Sequence, residues 1–401
     1  MNNYSPSSKR HPGWLIAAAF IGPGTVTTAS LAGAQFGYTV IWALAFSILA
    51  TLILQEMAVR LGVISKMGLA DAIHNQFNAP IWRWLASILI ISAIGIGNAA
   101  YEGGNITGAA LGLQQITALP LWIWVLSLTV IAGILLWFGS YKSIEKVLVS
   151  LVATMSIIFI VTALVAQPNW SGLFNDALAP RLDTETLTIT LALIGTTVVP
   201  YNLFLHASIV SQHHNNSHDE LKRQRRSSSL AIGVGGLITL AILTTASAAF
   251  YQTGIPLDTS NIASQLQPLL GDWASNVFAL GLFAAGLTSA ITAPLAASYA
   301  VCGALQLPAE MHSRAFRIVW IIVLLSGATV ASVGFKPLTA MLFAQATNGL
   351  LLPLIACFLL FVMNRKQSLG DFTNSLWTNL CGGAIVLFTI ALGLRKIITL
   401  F

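Results

Sequence analysis

The chain has 401 residues, of which 56% are hydrophobic and only 8% charged, with a mean hydropathy of +0.79 and a formal net charge of +6. So apolar a composition cannot keep a soluble surface hydrated, which excludes a soluble globular protein and leaves an integral membrane protein with the lipid bilayer as its main partner. The positive charge does not mark a nucleic-acid binder, because the basic residues fall in short clusters between apolar runs, as orientation signals do.

A polar start, residues 1–12, leads directly into the first apolar run with no small-residue cleavage site between them. Eleven apolar segments follow, each long enough to cross about 30 Å of hydrocarbon at about 20 residues. They lie near residues 13–38, 40–62, 81–113, 119–139, 146–166, 186–212, 229–252, 273–304, 316–334, 337–363 and 375–398. The first is interrupted by Gly22-Pro23-Gly24-Thr25, where proline lacks the N–H that a helix interior needs and two glycines lower helix propensity further. The sixth is interrupted in the same way at Val199-Pro200-Tyr201-Asn202. Irregular backbone at membrane depth survives only where it is buried or lines a cavity, so each joint points to a binding site. Their separation by five spans predicts an all-α fold of two inverted five-helix repeats with broken first and sixth helices. The repeats are residues 13–166 and 186–363, joined by an outer loop over 167–185; residues 364–401 add a loop and the eleventh helix.

Placing residues 1–12 in the cytoplasm puts fifteen of the Lys and Arg side chains inside, leaving only Arg181, Lys336, Arg395 and Lys396 outside. That asymmetry fixes a cytoplasmic N-terminus, and an odd number of spans then puts the C-terminus outside. The longest polar stretch, His213 to Ser229, reads as a solvated cytoplasmic connector, since its Lys and Arg residues repel a cation that His213, His214 and His218 could otherwise collect. Cys302, Cys357 and Cys381 have no metal-ligand spacing and read as buried small apolar side chains. Glu56, near the cytoplasmic end of the second span, is expected to face the interface or pair with Arg60 one turn on.

The segment HPGWLIAAAFIGPGTVTTASLAGAQFGYTVIWAL, followed by LQEMAVRLGVISKMGLADAI, resembles the first two spans of the NRAMP proton-coupled divalent-metal transporters. ALIGTTVVPYNLFLHASIV is similar to that family's sixth span, FGSYKSIEKVLVSLVA to its fourth-to-fifth connection, and AGLTSAITAPLAA and FAQATNGLLLPL to its eighth and tenth spans. The resemblance covers nearly the whole chain and implies the leucine-transporter type of inverted-repeat fold in a bacterial inner membrane.

The likeness weakens where the family binds its ion. The family carries Asp-Pro-Gly-Asn in the first joint and Met-Pro-His-Asn in the sixth; here Gly22 stands at the Asp, Thr25 at the first Asn, Val199 at the Met and Tyr201 at the His. Thr196 falls at the alanine whose carbonyl contributes, while Pro23, Gly24, Pro200 and Asn202 are retained. Val199 offers no soft donor to select manganese, and Gly22 supplies no charge to offset a buried divalent cation. Gln345 aligns with a Gln that the family uses near the ion, whereas its eighth-span Gln falls at Leu287. Thr27, Thr28, Ser30, Thr197 and Asn348 are further polar side chains near mid-depth.

Glu102 is the one deeply intramembrane carboxylate in the sequence, and matches a family Glu; the proton-pathway Asp three residues before it reads Ala99, and another acidic position reads Ser92. Glu102 is a candidate ion ligand with Asn202, and a candidate proton carrier with His206, which matches a retained family His one turn after Asn202. As alternatives, Glu102 is a protonated tie between helices and His206 caps a helix contact.

Two functions fit. One is a secondary transporter moving a divalent cation by alternating access, either a hard, partly hydrated ion such as Mg²⁺, or Mn²⁺. The other is a transporter of the same architecture that carries a small organic or anionic solute, which the positive dipole ends of half-helices suit. No nucleophile-base pair, motif-spaced metal cluster or cofactor loop marks an enzyme, and no resident cofactor is expected. Coupling to protons is open, and so is the oligomeric state, with which a monomer is compatible.

Overall fold

The computed structural model describes residues 21–117, 119–139, 142–166, 175–176, 182–212, 218–333 and 336–398. Pro23 opens the first helix, α1 (Pro23–Phe36), and Gly22 before it is extended (φ −92°, ψ 173°), because the ring of a proline disfavours helical backbone in the preceding residue. The half of this span before the joint lies outside the described residues. Helix α2 (Ile41–Ser65) is the second span, and α3 (Leu69–Gln76) is a short helix in the connection that follows. The third span is α4 (Pro80–Ile90), a π-helical turn over Ile91–Ile96, and α5 (Gly97–Ile116). Helices α6 (Leu121–Phe138) and α7 (Lys142–Val165) complete the first repeat.

The second break is visible on both sides. Helix α8 (Thr184–Thr197) stops at Val198 and α9 (Pro200–Ser211) starts after an extended Val199 (φ −74°, ψ 115°). Asp183 caps α8 in a reciprocal box with Thr186. The capping N–H of Thr186 holds the Asp183 carboxyl below the usual carboxylate range, so the cap persists until the pH falls below that range. Then come α10 (His218–Phe250), α11 (Ala274–Ala304), α12 (Arg314–Ser332), α13 (Pro337–Met363) and α14 (Leu376–Ile398). Ten helical stretches among the described residues are long and apolar enough to cross a membrane, and α1 is the second half of the remaining expected span.

Burial sorts these helices by position. The sixth span, α8 with α9, is 94% buried in its most apolar window, whereas the window in α6 and that in α12 are each 28% buried and turn their Leu, Ile and Trp side chains to lipid. The helix pairing has the symmetry that inverted repeats demand. Helix α1 of the first span packs on α10, the seventh, while α9 of the sixth packs on α2, the second. Glycine makes both contacts possible: a Cβ on Gly33 would collide with the Leu243 carbonyl, and one on Gly62 with the Ala207 carbonyl. Without a hydrophobic force between helices in lipid, such close backbone approach is what holds them.

The same holds where α8 meets α13. A Cβ on Gly195 would strike the Gln345 carbonyl and lie 2.5 Å from Gly349 N. Overpacking of this kind costs about 1–3 kcal/mol. Gly195→Ala is therefore expected to lower the thermal midpoint of the purified protein by several degrees; an unchanged midpoint would refute the close approach.

The structure adds to the sequence expectations at two places and corrects them at one. The basic stretch after His218, expected as a solvated connector, is helical and forms the first three turns of α10; His213 and His214 lie outside the described residues. Cys302 is buried as expected, but Cys357 and Cys381 are exposed on the outer surface of the bundle, where a lipid-facing thiol is as well accommodated as an internal one. The third span contains a π-helical turn over Ile91–Ile96 that its apolar sequence did not announce. The Glu56–Arg60 pair forms at 3.1 Å and is joined by Arg225 of α10, whose Nε donates to Glu56 at 2.8 Å.

At the end of the bundle opposite this charge network, the connection after α10 folds back into the core. It leaves the helix through positive-φ turns at Gln252 and Gly254, and a 3₁₀ turn over Ile262–Leu266 buries Ile262, Ala263 and Leu266. Gln265 is 1% exposed and holds three elements together. Its Nε2 donates to Ser30 of α1 (3.0 Å) and to Ile262 O (2.8 Å), and its Oε1 accepts from Thr245 of α10 (3.2 Å).

Candidate functional site

The two joints meet. Thr25, in the first turn of α1, and Thr196, in the last turn of α8, are hydroxyl to hydroxyl at 2.8 Å. Pro23 rests on Gly108 of α5, and Gln345 of α13 lies over Gly24, whose Cβ, if present, would be 2.6 Å from Gln345 Cδ. The glycines of the first joint thus let the tenth span reach the break, and this accounts for Gly24 more directly than its low helix propensity does.

Gly22 faces the third and eighth spans. A Cβ built there would lie 3.0 Å from Ser289 Oγ of α11 and 3.7 Å from the Tyr101 hydroxyl of α5. That hydroxyl also reaches the side chains of Gln345 and Tyr201. Tyr201, in the first turn of α9, meets the Tyr101 ring edge to face at a centroid distance of 5.3 Å. Val199 is buried and extended, with its carbonyl accepting from Asn202 N at 3.1 Å.

Several buried polar atoms around the joints have no hydrogen-bond partner: Asn202 Oδ1 and Nδ2, Gln345 Oε1, Asn348 Nδ2 and Ser289 Oγ. Buried polar groups are almost always paired, and each exception asks for a water or a ligand. Five such atoms on the two joints and on the helices beside them are the mark of a place built to hold something polar.

The other sequence candidates sit apart from this cradle. The Glu102 side chain packs on Gly327 of α12, one Oε accepting from Asn105 at 3.2 Å and the other bare. It lies a helix face away from Tyr101, so its charge would act on the joints through space rather than by contact. His206 is fully buried and faces α2, where its Nδ1 donates to Gln55 Oε1 at 2.8 Å while Nε2 stays bare. Leu287 points into the apolar core. Among the described residues no three His, Cys, Asp or Glu side chains are grouped so as to hold a metal ion. Ser289 escaped the sequence reading altogether: an isolated serine in an apolar span carries no signal until the fold sets it against Gly22.

Residues 13–399 match the Nramp family, described as natural resistance-associated macrophage protein-like. The divalent metal cation transporter MntH of Staphylococcus saprophyticus is 29% identical over 416 residues, covering 97% of this chain and 91% of that protein. Among solved structures, the Eremococcus coleocola manganese transporter in complex with an aromatic bis-isothiourea substituted compound has a TM-score of 0.75 at 20% identity, over 98% of this chain and 88% of that one. MhsT in complex with L-phenylalanine has a TM-score of 0.65 at 16% identity, over 100% of both chains. At these identities the likeness to the solved structures is one of fold, and it bears out the expected leucine-transporter type of architecture.

Proposed function

This chain belongs to the Nramp family, a family of membrane transporters and not of enzymes, and from that premise we propose that it carries a divalent metal cation across the bilayer by alternating access. We infer further that the ion is a hard one that keeps part of its water, Mg²⁺ ahead of Mn²⁺. The observation that carries this reading is the set of bare, buried and neutral polar atoms at the two joints, with no thioether, imidazole or carboxylate among them. A naked divalent ion would need a charge against it there. Mg²⁺ gives up its waters reluctantly and is commonly held through them, and a hydrated ion offers hydrogen-bond donors to amide and hydroxyl oxygens. The first and sixth spans would rock around this point against the steadier helices.

The test is a proteoliposome screen with Mg²⁺, Mn²⁺, Ca²⁺ and a set of small anions and amino acids, with and without a pH gradient. Saturable Mg²⁺ uptake is expected. Uptake of an anion or amino acid without any divalent cation would favour the second reading, which the same charge-free cradle also suits, and would end the first.

Glu102 enters this reading as a remote counter-charge, and Glu102→Gln keeps the shape of the side chain and an oxygen for Asn105. The variant is expected to lose most uptake while its thermal midpoint stays that of wild type. Wild-type uptake would make Glu102 a tie between α5 and α12. Under a pH gradient, the His206→Ala variant distinguishes a proton relay, for which uptake loses its response to the gradient, from a simple contact with Gln55.

A further inference from the structure

We propose that Ser289 of α11 is a substrate-binding, selectivity-determining residue of the site. Its hydroxyl, beside that of Tyr101, occupies the place opposite Gly22 and accepts a hydrogen bond from a water in the cation's hydration shell. The inference rests on the divalent-cation reading and names a residue that the joint motifs do not contain.

Three observations carry it. Ser289 is fully buried in the interior of a helix, yet its Oγ has no partner. Hydroxyls in transmembrane helices normally bond back to a carbonyl one turn earlier, and neighbours on α11 do so: Thr288 Oγ1 donates to Ala284 O at 3.0 Å, and Ser298 Oγ to Pro294 O at 3.0 Å. Ser289 departs from that habit. It is also aimed at the joint, since its Oγ is the nearest atom, at 3.0 Å, to where a side chain on Gly22 would begin. Finally, it shares that space with two other polar groups, the Tyr101 hydroxyl and, over Gly24, the Gln345 amide with its bare Oε1.

The chemistry follows from these positions. A water bound to a cation turns its lone pair to the metal and its hydrogens outward, so the protein must meet it with acceptors. Ser289 Oγ, over Gly22, and Gln345 Oε1, on the amide whose Nε2 lies over Gly24, are both acceptors without a donor. A side chain at position 22 would begin only 3.0 Å from this hydroxyl, so the glycine is what leaves Ser289 Oγ open to a ligand water.

The experiment compares wild type, Ser289→Ala and Ser289→Thr in proteoliposomes, with Mg²⁺ and Mn²⁺ as the probes. A parallel measurement follows the thermal midpoint of each purified protein with and without Mg²⁺. Ser289→Ala is expected to raise the KM for Mg²⁺ at least tenfold and to abolish the Mg²⁺-dependent rise in the midpoint, while its midpoint without Mg²⁺ equals that of wild type. Ser289→Thr, which keeps the hydroxyl, is expected to restore most of the Mg²⁺ uptake. If wild type takes up Mg²⁺ and Ser289→Ala does so with an unchanged KM, this inference fails and the divalent-cation reading stands. If wild type neither transports nor is stabilised by either ion, the divalent-cation reading fails and takes the role of Ser289 with it.

Discussion

Asn202→Ala should abolish substrate uptake almost entirely, by tenfold or more, in a protein no less stable than wild type. The two halves of that expectation have one cause. Asn202 is 1% exposed and neither of its side-chain polar atoms has a partner. A buried polar group left unsatisfied costs about 1–3 kcal/mol, and its removal can be neutral or stabilising. A residue kept at that cost serves something other than the fold. Truncation therefore removes the ligand contact together with the cost of two unpaired buried polar atoms. Uptake in proteoliposomes together with thermal unfolding in detergent checks both halves. Retained uptake would remove Asn202 from the site, and a large loss of stability would show that its amide has structural partners.

Gly22→Asp combined with Val199→Met should convert the site toward manganese. The double variant aims a carboxylate between Tyr101 and Ser289, whose hydroxyl must rotate away to admit it, and puts a thioether at the cap of α9, the two donor types whose absence separates this chain from the pattern it resembles. The backbone frame needs no change, since Gly22 and Val199 already hold the extended conformations that the joints require. A charge buried without a partner costs several kcal/mol, so the double variant should be less stable than wild type in the absence of metal. Mn²⁺ should restore it, because a ligand that binds the folded state alone stabilises by mass action. The expected result is a depressed thermal midpoint that rises with Mn²⁺ concentration, with new or sharpened Mn²⁺ uptake. A midpoint indifferent to Mn²⁺ would mean that the cavity has been reshaped for another solute.

What could be read from the sequence divides along a physical line. The two joints were legible because each combines a proline with neighbours unsuited to a helix interior, and their separation by five spans gave the repeat. Proline alone would have misled: Pro294 and Pro353 lie inside the unbroken helices α11 and α13, where neighbouring helices absorb the lost hydrogen bond. The basic stretch before the seventh span looked like a connector because its charges are all polar to a hydropathy reading, yet nothing in Glu-Leu-Lys-Arg-Gln-Arg-Arg opposes a helix. The site itself was legible only in its joint half. Gly22, Thr25, Thr196, Tyr201, Asn202 and Gln345 come from motifs, while Ser289 and Tyr101 are brought to them by packing between distant spans. Glu102 was conspicuous as a charge among apolar residues, but sequence could not say which side of its helix faced the joints.

Gln265 gives the loop beyond α10 a role in timing. Its one amide is shared between Ser30 on α1 and Thr245 on α10, so that loop cannot lift away from the bundle while the first span stays where it is without stranding donors and acceptors in the dark. Each such bond contributes on the order of 1 kcal/mol, and the two that tie the loop to the helices favour the docked loop by roughly thirtyfold. Under the proposed alternating access, any motion of α1 against α10 breaks these two bonds or carries the loop along, so the pace of transport would depend on how often a single glutamine lets go.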